Sequence, residues 1–135
     1  MENKEIKVLL VDDEIDFVEP VAMWLEARGY NVNICRNGKE AVDSVRLDPP
    51  NIIFMDINMP VLDGLDALEA IRAFAPNMPI VMVTGIYRDE EKINRAKKLG
   101  IAGFFSKNYT FDHLLEMIQV TLHTQKNLSL DERAL

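Results

Sequence analysis

Asn51-Ile52-Ile53-Phe54-Met55-Asp56-Ile57-Asn58-Met59-Pro60 is the stretch on which the reading of this chain turns. Its apolar run, Ile52 to Met55, is too short for a helix and carries β-favouring side chains at Ile52, Ile53 and Phe54, so it reads as a buried strand. A carboxylate, Asp56, closes the run, followed by a turn at Met59-Pro60 and by Leu62-Asp63-Gly64. A charge at the mouth of an all-apolar strand does not serve packing. In open parallel sheets ligands bind at the carboxyl ends of the strands. Asp56 therefore stands where chemistry would be placed.

Working outward, apolar runs alternate with helical patterns. Ile6 to Val11 is a strand ending in Asp12-Asp13-Glu14. A helix through Phe17, Val18, Val21, Met23, Trp24, Leu25 and Ala27 follows, closed by Gly29. Pro20 fits that helix only in its opening turn, which sets the expected start near Asp16. Tyr30 to Cys35 is a half-polar strand suited to a sheet edge. Asn37-Gly38-Lys39-Glu40 resembles a capping box and opens a second helix, which Pro49-Pro50 stops. Beyond Asp56, a helix begins near Asp63-Gly64 and turns Leu65, Leu68 and Ile71 inward. Pro79 to Val83 is a strand ending in Thr84-Gly85, and a charged helix runs from about Asp89 to Leu99. Ala102 to Phe105 is a short strand ending in Ser106-Lys107. Thr110 caps a last helix whose apolar face is Phe111, Leu114, Leu115, Ile118 and Leu122.

Strands alternating with helices in this way define an α/β class: a flavodoxin-like doubly wound (βα)5 unit with a five-stranded parallel sheet in the order 2-1-3-4-5. Residues 1–124 are expected to form that one domain, and 125–135 a C-terminal tail or the start of a linker. Ser129-Leu130-Asp131-Glu132 has capping-box spacing, but a frayed terminus is the favoured reading. No DNA-binding or catalytic domain follows Leu122 in this sequence, which suits either a free-standing protein or a segment of a longer one.

Composition narrows the function. At 135 residues and 48% hydrophobic the chain can bury a real core. No apolar run approaches the roughly 20 residues that span a bilayer. The opening Met1-Glu2-Asn3-Lys4-Glu5 is charged, unlike a signal peptide, and a membrane role is not expected. The single cysteine, Cys35, excludes an internal disulfide, fits a reducing cytoplasm and reads as a small core residue. A net charge of −7 argues against direct nucleic-acid binding and suits a cation or a basic partner.

The strand ends converge in that topology. Asp12-Asp13 and Asp56 lie side by side across the point where the strand order reverses. With strands about 4.8 Å apart, Thr84 is one strand from Asp56, and Lys107 is two strands away, about 10 Å, within reach of its long side chain. At an effective dielectric near 20, each carboxylate pair about 4 Å apart costs about 4 kcal/mol. Oxygen-only ligands suit Mg²⁺, Mn²⁺ or Ca²⁺ as the neutralising ion. A metal, a lysine, a hydroxyl and one central carboxylate describe phosphoryl transfer onto that carboxylate.

Val11-Asp12-Asp13, Met55 to Pro60 with Asp63-Gly64, Val83-Thr84-Gly85 and Phe105-Ser106-Lys107 together resemble the response-regulator receiver domain of two-component signalling, from about Ile6 to Leu122. The resemblance implies that Asp56 is the phospho-acceptor, served by a histidine kinase or a histidine phosphotransfer protein. It implies Mg²⁺, with Mn²⁺ also suited, held by Asp13, Asp56 and the backbone carbonyl of Asn58, with Asp12 acting mainly through water. Thr84 and Phe104 match the family's switch pair, and Asn58 and Ile86 the positions that flank the path of attacking water. The face built from the fourth helix, fifth strand and fifth helix would carry an effector, an output domain or a phosphorylation-dependent homodimer. Its Lys92, Arg95, Lys97 and Lys98 also read as a solvated face. Such a domain is no enzyme beyond its own phosphorylation and dephosphorylation.

One departure is plain: the family usually has proline after the lysine, and here Asn108 stands there. A cis bond without proline costs about 2.5–4 kcal/mol, so Lys107–Asn108 is expected to be trans. Two competing readings remain: a receiver-like interaction module working without phosphorylation, and an aspartate-nucleophile, Mg-dependent phosphatase. The second would want its nucleophile after the first strand in an Asp-x-Asp pattern, which Asp12-Asp13-Glu14-Ile15 does not supply. A flavin carrier would want a Ser/Thr- and Gly-rich loop there.

Overall fold

Side-chain alternation along the strands builds two cores, one on each face of the sheet. The structure is a computed structural model and describes residues 5–59, 61–85 and 89–134, with side chains to residue 123. The strands are β1 (Lys7–Val11), β2 (Asn31–Cys35), β3 (Ile52–Asp56), β4 (Ile80–Thr84) and β5 (Gly103–Ser106). They alternate with α1 (Ile15–Glu26), α2 (Gly38–Leu47), α3 (Gly64–Phe74), α4 (Glu90–Leu99) and α5 (Phe111–Ala134). All strand pairs are parallel, in the order β2-β1-β3-β4-β5.

Leu9, Val11, Ile53, Met55 and Met82 face α2, α3 and α4 through Ala41, Val45, Leu65, Leu68, Ile71, Ile93 and Ala96. Val8, Leu10, Ile52, Phe54, Val81 and Val83 face α1 and α5 through Val18, Val21, Leu25, Leu114 and Ile118. Every residue of β3 is buried, which is why its sequence shows an apolar run and no alternation. β2, by contrast, is largely exposed and lies at the sheet edge, as its half-polar sequence predicts. The Phe54 and Phe105 rings meet edge to face at 6.3 Å, and Trp24 meets Phe111 at 5.4 Å, tying α1 to α5.

Local signals set most boundaries. Asn37, Asp63, Asp89 and Thr110 each accept a backbone N–H of the first turn of α2, α3, α4 and α5. The Asn37 box is rearranged: the Glu40 carboxylate takes the N–H of Arg36 and the side-chain amide of Asn37. Gly29 adopts φ 91° beyond the end of α1 and donates to the Glu26 carbonyl. Glu14 heads α1 but makes no side-chain cap.

Two expectations need correction. α1 starts at Ile15, and Pro20 sits within it, past the opening turn. Pro20 is exposed, so water can serve the Asp16 carbonyl that the missing N–H leaves without its helical donor. The frayed terminus expected from Gln125 is helical: α5 runs unbroken to Ala134. No glycine or proline follows Thr110, so no residue of the terminating kind interrupts it. The domain boundary expected at residue 124 thus falls inside one helix. Among the described residues no helix is long and apolar enough to cross a membrane.

The join of β3 to α3 is the tightest in the fold. Gly64 donates to the Ile57 carbonyl at 3.0 Å, and a Cβ on Gly64 would lie 2.0 Å from the Asp56 carbonyl oxygen. Only glycine lets α3 begin directly behind the end of β3. Gly64→Ala is expected to lower the unfolding free energy by about 1–3 kcal/mol, measured by urea denaturation; parental stability would show that the join is loose.

Candidate functional site

The apolar ladder of the three central strands delivers its charges to one end. Asp12 continues β1 by donating its N–H to the Cys35 carbonyl at 3.0 Å, and Asp56 is the last residue of β3. They are the two buried charged residues among those described, 2% and 5% exposed, while Asp13 is exposed. The Asp12 carboxylate accepts the Glu14 N–H at 2.9 Å, and that of Asp56 accepts the Asn58 N–H at 3.1 Å. Backbone turns thus lock both carboxylates in place.

Lys107 follows β5 and closes the site. Its N–H donates to the Thr84 carbonyl at 2.9 Å, fixing the ends of β4 and β5 together. Its ammonium lies 3.3 and 3.1 Å from the two Asp12 oxygens and 3.2 Å from Asp56 Oδ2, and also bonds Glu14 Oε1. The Phe17 ring centroid lies 5.0 Å from the ammonium. No cis peptide bond occurs among the described residues, so Lys107–Asn108 is trans as expected and the lysine still reaches Asp56. The Asn108 N–H goes to Ser106 Oγ at 3.2 Å.

The electrostatics follow from this packing. Burial, and then the Asp12 charge, push the Asp56 carboxyl up to about 6, against the pull of Lys107 and the Asn58 N–H. Burial alone would lower the Lys107 ammonium, but its bond to Glu14 and the charges of Asp56 and Asp12 outweigh that and raise it above the ordinary lysine value. Asp12 Oδ2 is buried and within ion-pair range of Lys107, yet it has no hydrogen-bond partner among the described residues. One oxygen from each of Asp12, Asp13 and Asp56 can lie within 4.8 Å of the others. An orphaned oxygen in an all-carboxylate cluster fits a hard divalent cation.

Thr84, the last residue of β4, and Phe104, within β5, line one cavity of about 180 Å³ with Gly85, Ile93, Ser106, Asn108 and Tyr109. Asn58 is brought to the site by its backbone, while its side-chain oxygen accepts from Lys92 Nζ of α4 at 2.6 Å. Arg95 pairs with Asp66 and Glu69 of α3. Two of the four cations read on α4 are therefore used inside the fold, and Lys97 and Lys98 remain exposed. Ile86 lies outside the described residues. Val61 holds φ 70° with its side chain 80% exposed, a strained conformation in the loop between Asp56 and α3.

Sequence reasoning missed Glu14, and it read Lys92 on a solvated or partner-carrying face without its bond to Asn58. For Glu14 a signal existed: a long side chain at a helix head, where short ones cap best. Nothing local marks Lys92, whose partner lies 34 residues away.

The family model described as "Response regulator receiver domain" matches residues 8–119. The chain is 30% identical over 125 residues to transcriptional regulatory protein ZraR of Escherichia coli (strain K12), covering 92% of this chain and 28% of that protein. It is 34% identical over 119 residues to nitrogen assimilation regulatory protein NtrX of Azorhizobium caulinodans, covering 87% and 26%. A receiver domain protein (CheY-like) from Methanospirillum hungatei superposes with a TM-score of 0.86 at 28% identity, covering 90% of this chain and 97% of that one. The chain belongs to the response-regulator receiver domain family of two-component systems. It spans little more than a quarter of the length of these curated relatives.

Asp56 also carries a stability consequence. Its folded pKa of about 6 exceeds the ordinary 3.8, so the folded chain holds the proton more tightly than the unfolded one. Stability is then highest below the unfolded value and falls as pH rises from about 4 to beyond 6, by about 3 kcal/mol in all. In chelator, Asp56→Asn is expected to raise the unfolding free energy at neutral pH by up to about 3 kcal/mol and to flatten that dependence. Urea melts between pH 4 and 7 check it; a variant no more stable than the parent would refute the buried-charge account.

Proposed function

We propose that Asp56 accepts a phosphoryl group from the phosphohistidine of a histidine kinase or a histidine phosphotransfer protein, and that Thr84 and Phe104 relay the event to the α4/β5/α5 face. The observation that carries this reading is the convergence of Asp12, Asp56 and Lys107 within 3.3 Å contacts at the carboxyl end of the sheet. A carboxylate oxygen of Asp56 attacks phosphorus, the bond from phosphorus to the histidine nitrogen breaks, and the imidazole leaves. Mg²⁺, with Mn²⁺ also suited, held by Asp13, Asp56, the Asn58 carbonyl and Asp12 mainly through water, supplies the positive charge that offsets the phosphoryl oxygens.

The chain's own groups do the rest. Lys107 holds one phosphoryl oxygen, and the Asn58 N–H keeps the Asp56 carboxylate aimed. The Thr84 hydroxyl binds another oxygen by moving inward, and the Phe104 ring follows into the cavity the two share. The altered face then controls an effector or an output domain, or pairs with a second copy. Catalysis is confined to the domain's own phosphorylation and its reversal, with Asn58 and Ile86 setting the lifetime. The buried, unpaired Cys35 supports a cytoplasmic setting. The intact set of acidic residues, Thr84 and Lys107 disfavours an interaction module that works without phosphate. Placement of Asp56 after β3 disfavours the phosphatase.

Incubation with Mg²⁺ and a small phosphodonor is expected to add one phosphoryl group by intact mass, lost in Asp56→Asn. No addition to the parent overturns the reading. Mg²⁺ at a hundredfold excess over its Kd is expected to raise the unfolding free energy by about 2.7 kcal/mol. In Asp13→Ala most of that gain should vanish, together with most phosphorylation. A melting temperature that still climbs with Mg²⁺ as in the parent would remove Asp13 from the ligand set.

A further inference from the structure

We propose that Glu14 is a positioning residue that restrains phosphoryl acceptance by holding one of the N–H donors of Lys107; this rests on Asp56 being the acceptor. A lysine ammonium has three N–H groups. Here three carboxylates take them: Asp12, Asp56 and Glu14. The Lys107 side chain is only 13% exposed, so a phosphoryl oxygen arriving on Asp56 must displace a partner.

Burial decides which partner gives way. The Asp12 and Asp56 side chains are 3% and 7% exposed, and releasing either leaves a buried charge uncompensated. Glu14 is 63% exposed, so water solvates its carboxylate as soon as the bond opens. The displaced group is therefore Glu14, and its bond to Lys107 must break during each transfer. Its charge also faces any anionic donor that approaches the site.

Two further features show that this placement is set by the fold. Glu14 heads the one helix of the five for which no side-chain cap is formed, whereas α2, α3, α4 and α5 are capped by Asn37, Asp63, Asp89 and Thr110. Its backbone is pinned at both ends. The N–H goes to Asp12 Oδ1, and the carbonyl receives the N–H groups of Phe17 and Val18. With the backbone so held beside Asp12, the side chain turns from its own helix to the lysine.

The test uses the full chain in excess Mg²⁺ with phosphoramidate. The Asp56 carboxylate bonds phosphorus, the P–N bond breaks, and ammonia leaves, taking the proton already on the donor nitrogen. Intact mass followed over time at several donor concentrations gives the rate for the parent, Glu14→Gln and Glu14→Asp. Glu14→Gln is expected to react about two- to fivefold faster, the scale of an exposed ion pair. Glu14→Asp keeps the charge but is one methylene short of Lys107, and it is expected to be faster than the parent as well.

Thermal unfolding with and without Mg²⁺ should be nearly superimposable for all three chains, which a purely structural role for Glu14 would not give. If the parent is modified and Glu14→Gln is no faster, the inference fails while Asp56 stands as the acceptor. If Glu14→Gln is faster but Glu14→Asp matches the parent, charge alone sets the rate and the bond to Lys107 does not. If the parent takes no phosphoryl group, both readings fall.

Discussion

Two carboxylates that water barely reaches share one ammonium at the mouth of the sheet, and the rest of the structure is arranged to hold them there. Burial, and then the repulsion between Asp12 and Asp56, pushes the Asp56 carboxyl up to about 6. A single Lys107 cannot balance Asp12, Asp13, Asp56 and Glu14. The resulting excess of negative charge is what recruits a cation. An arrangement poor for stability is suited to receiving a charged group, and marginal folds carry such sites only where the surroundings over-determine them.

That over-determination comes from the register. Asp56 pairs in the ladder with Val83, and Thr84 with Ser106, so Asp56, Thr84 and Lys107 leave neighbouring strands at successive levels. Lys107 and Asp12 are 95 residues apart in sequence and meet because β1 and β5 flank the β3–β4 pair. Gly64 adds the constraint from behind, since any larger residue would push α3 off the Asp56 carbonyl.

How much of this was legible in the sequence follows from the range of each interaction. The strand order, the edge position of β2, the caps at Asn37 and Thr110 and the convergence of Asp12, Asp13, Asp56 and Lys107 were readable. Each rests on an apolar run, a short-range cap or a charge that punctuates a strand end. Pro20 misled because a helix tolerates proline beyond its first turn when that face is wet. The length of α5 misled because polar composition after Leu122 reads as fraying, although no terminating residue is present. Glu14–Lys107 and Lys92–Asn58 were hidden because they depend on where long side chains end, and sequence spacing carries no information about that.

Those two hidden pairs share a geometry that bears on signalling. Glu14 fastens the head of α1 to the lysine, and Lys92 fastens α4 to the loop that follows Asp56. Both are single bonds from an exposed or half-exposed side chain to a group that must respond when Asp56 changes its charge. On the proposed reading, phosphoryl transfer would exchange the single negative charge of the Asp56 carboxylate for about two, a net gain of about one beside Lys107. The ammonium would then be drawn toward the new oxygens and away from Glu14. Any shift of the Asn58 backbone toward a cation would be felt at α4 through the Lys92 bond. The buried core need not move for this: it keeps the strand ends in register, while weak outer bonds exchange partners. A rigid sheet with replaceable polar ties at its mouth would let the proposed covalent event at one carboxylate reach a helix face without unfolding either core.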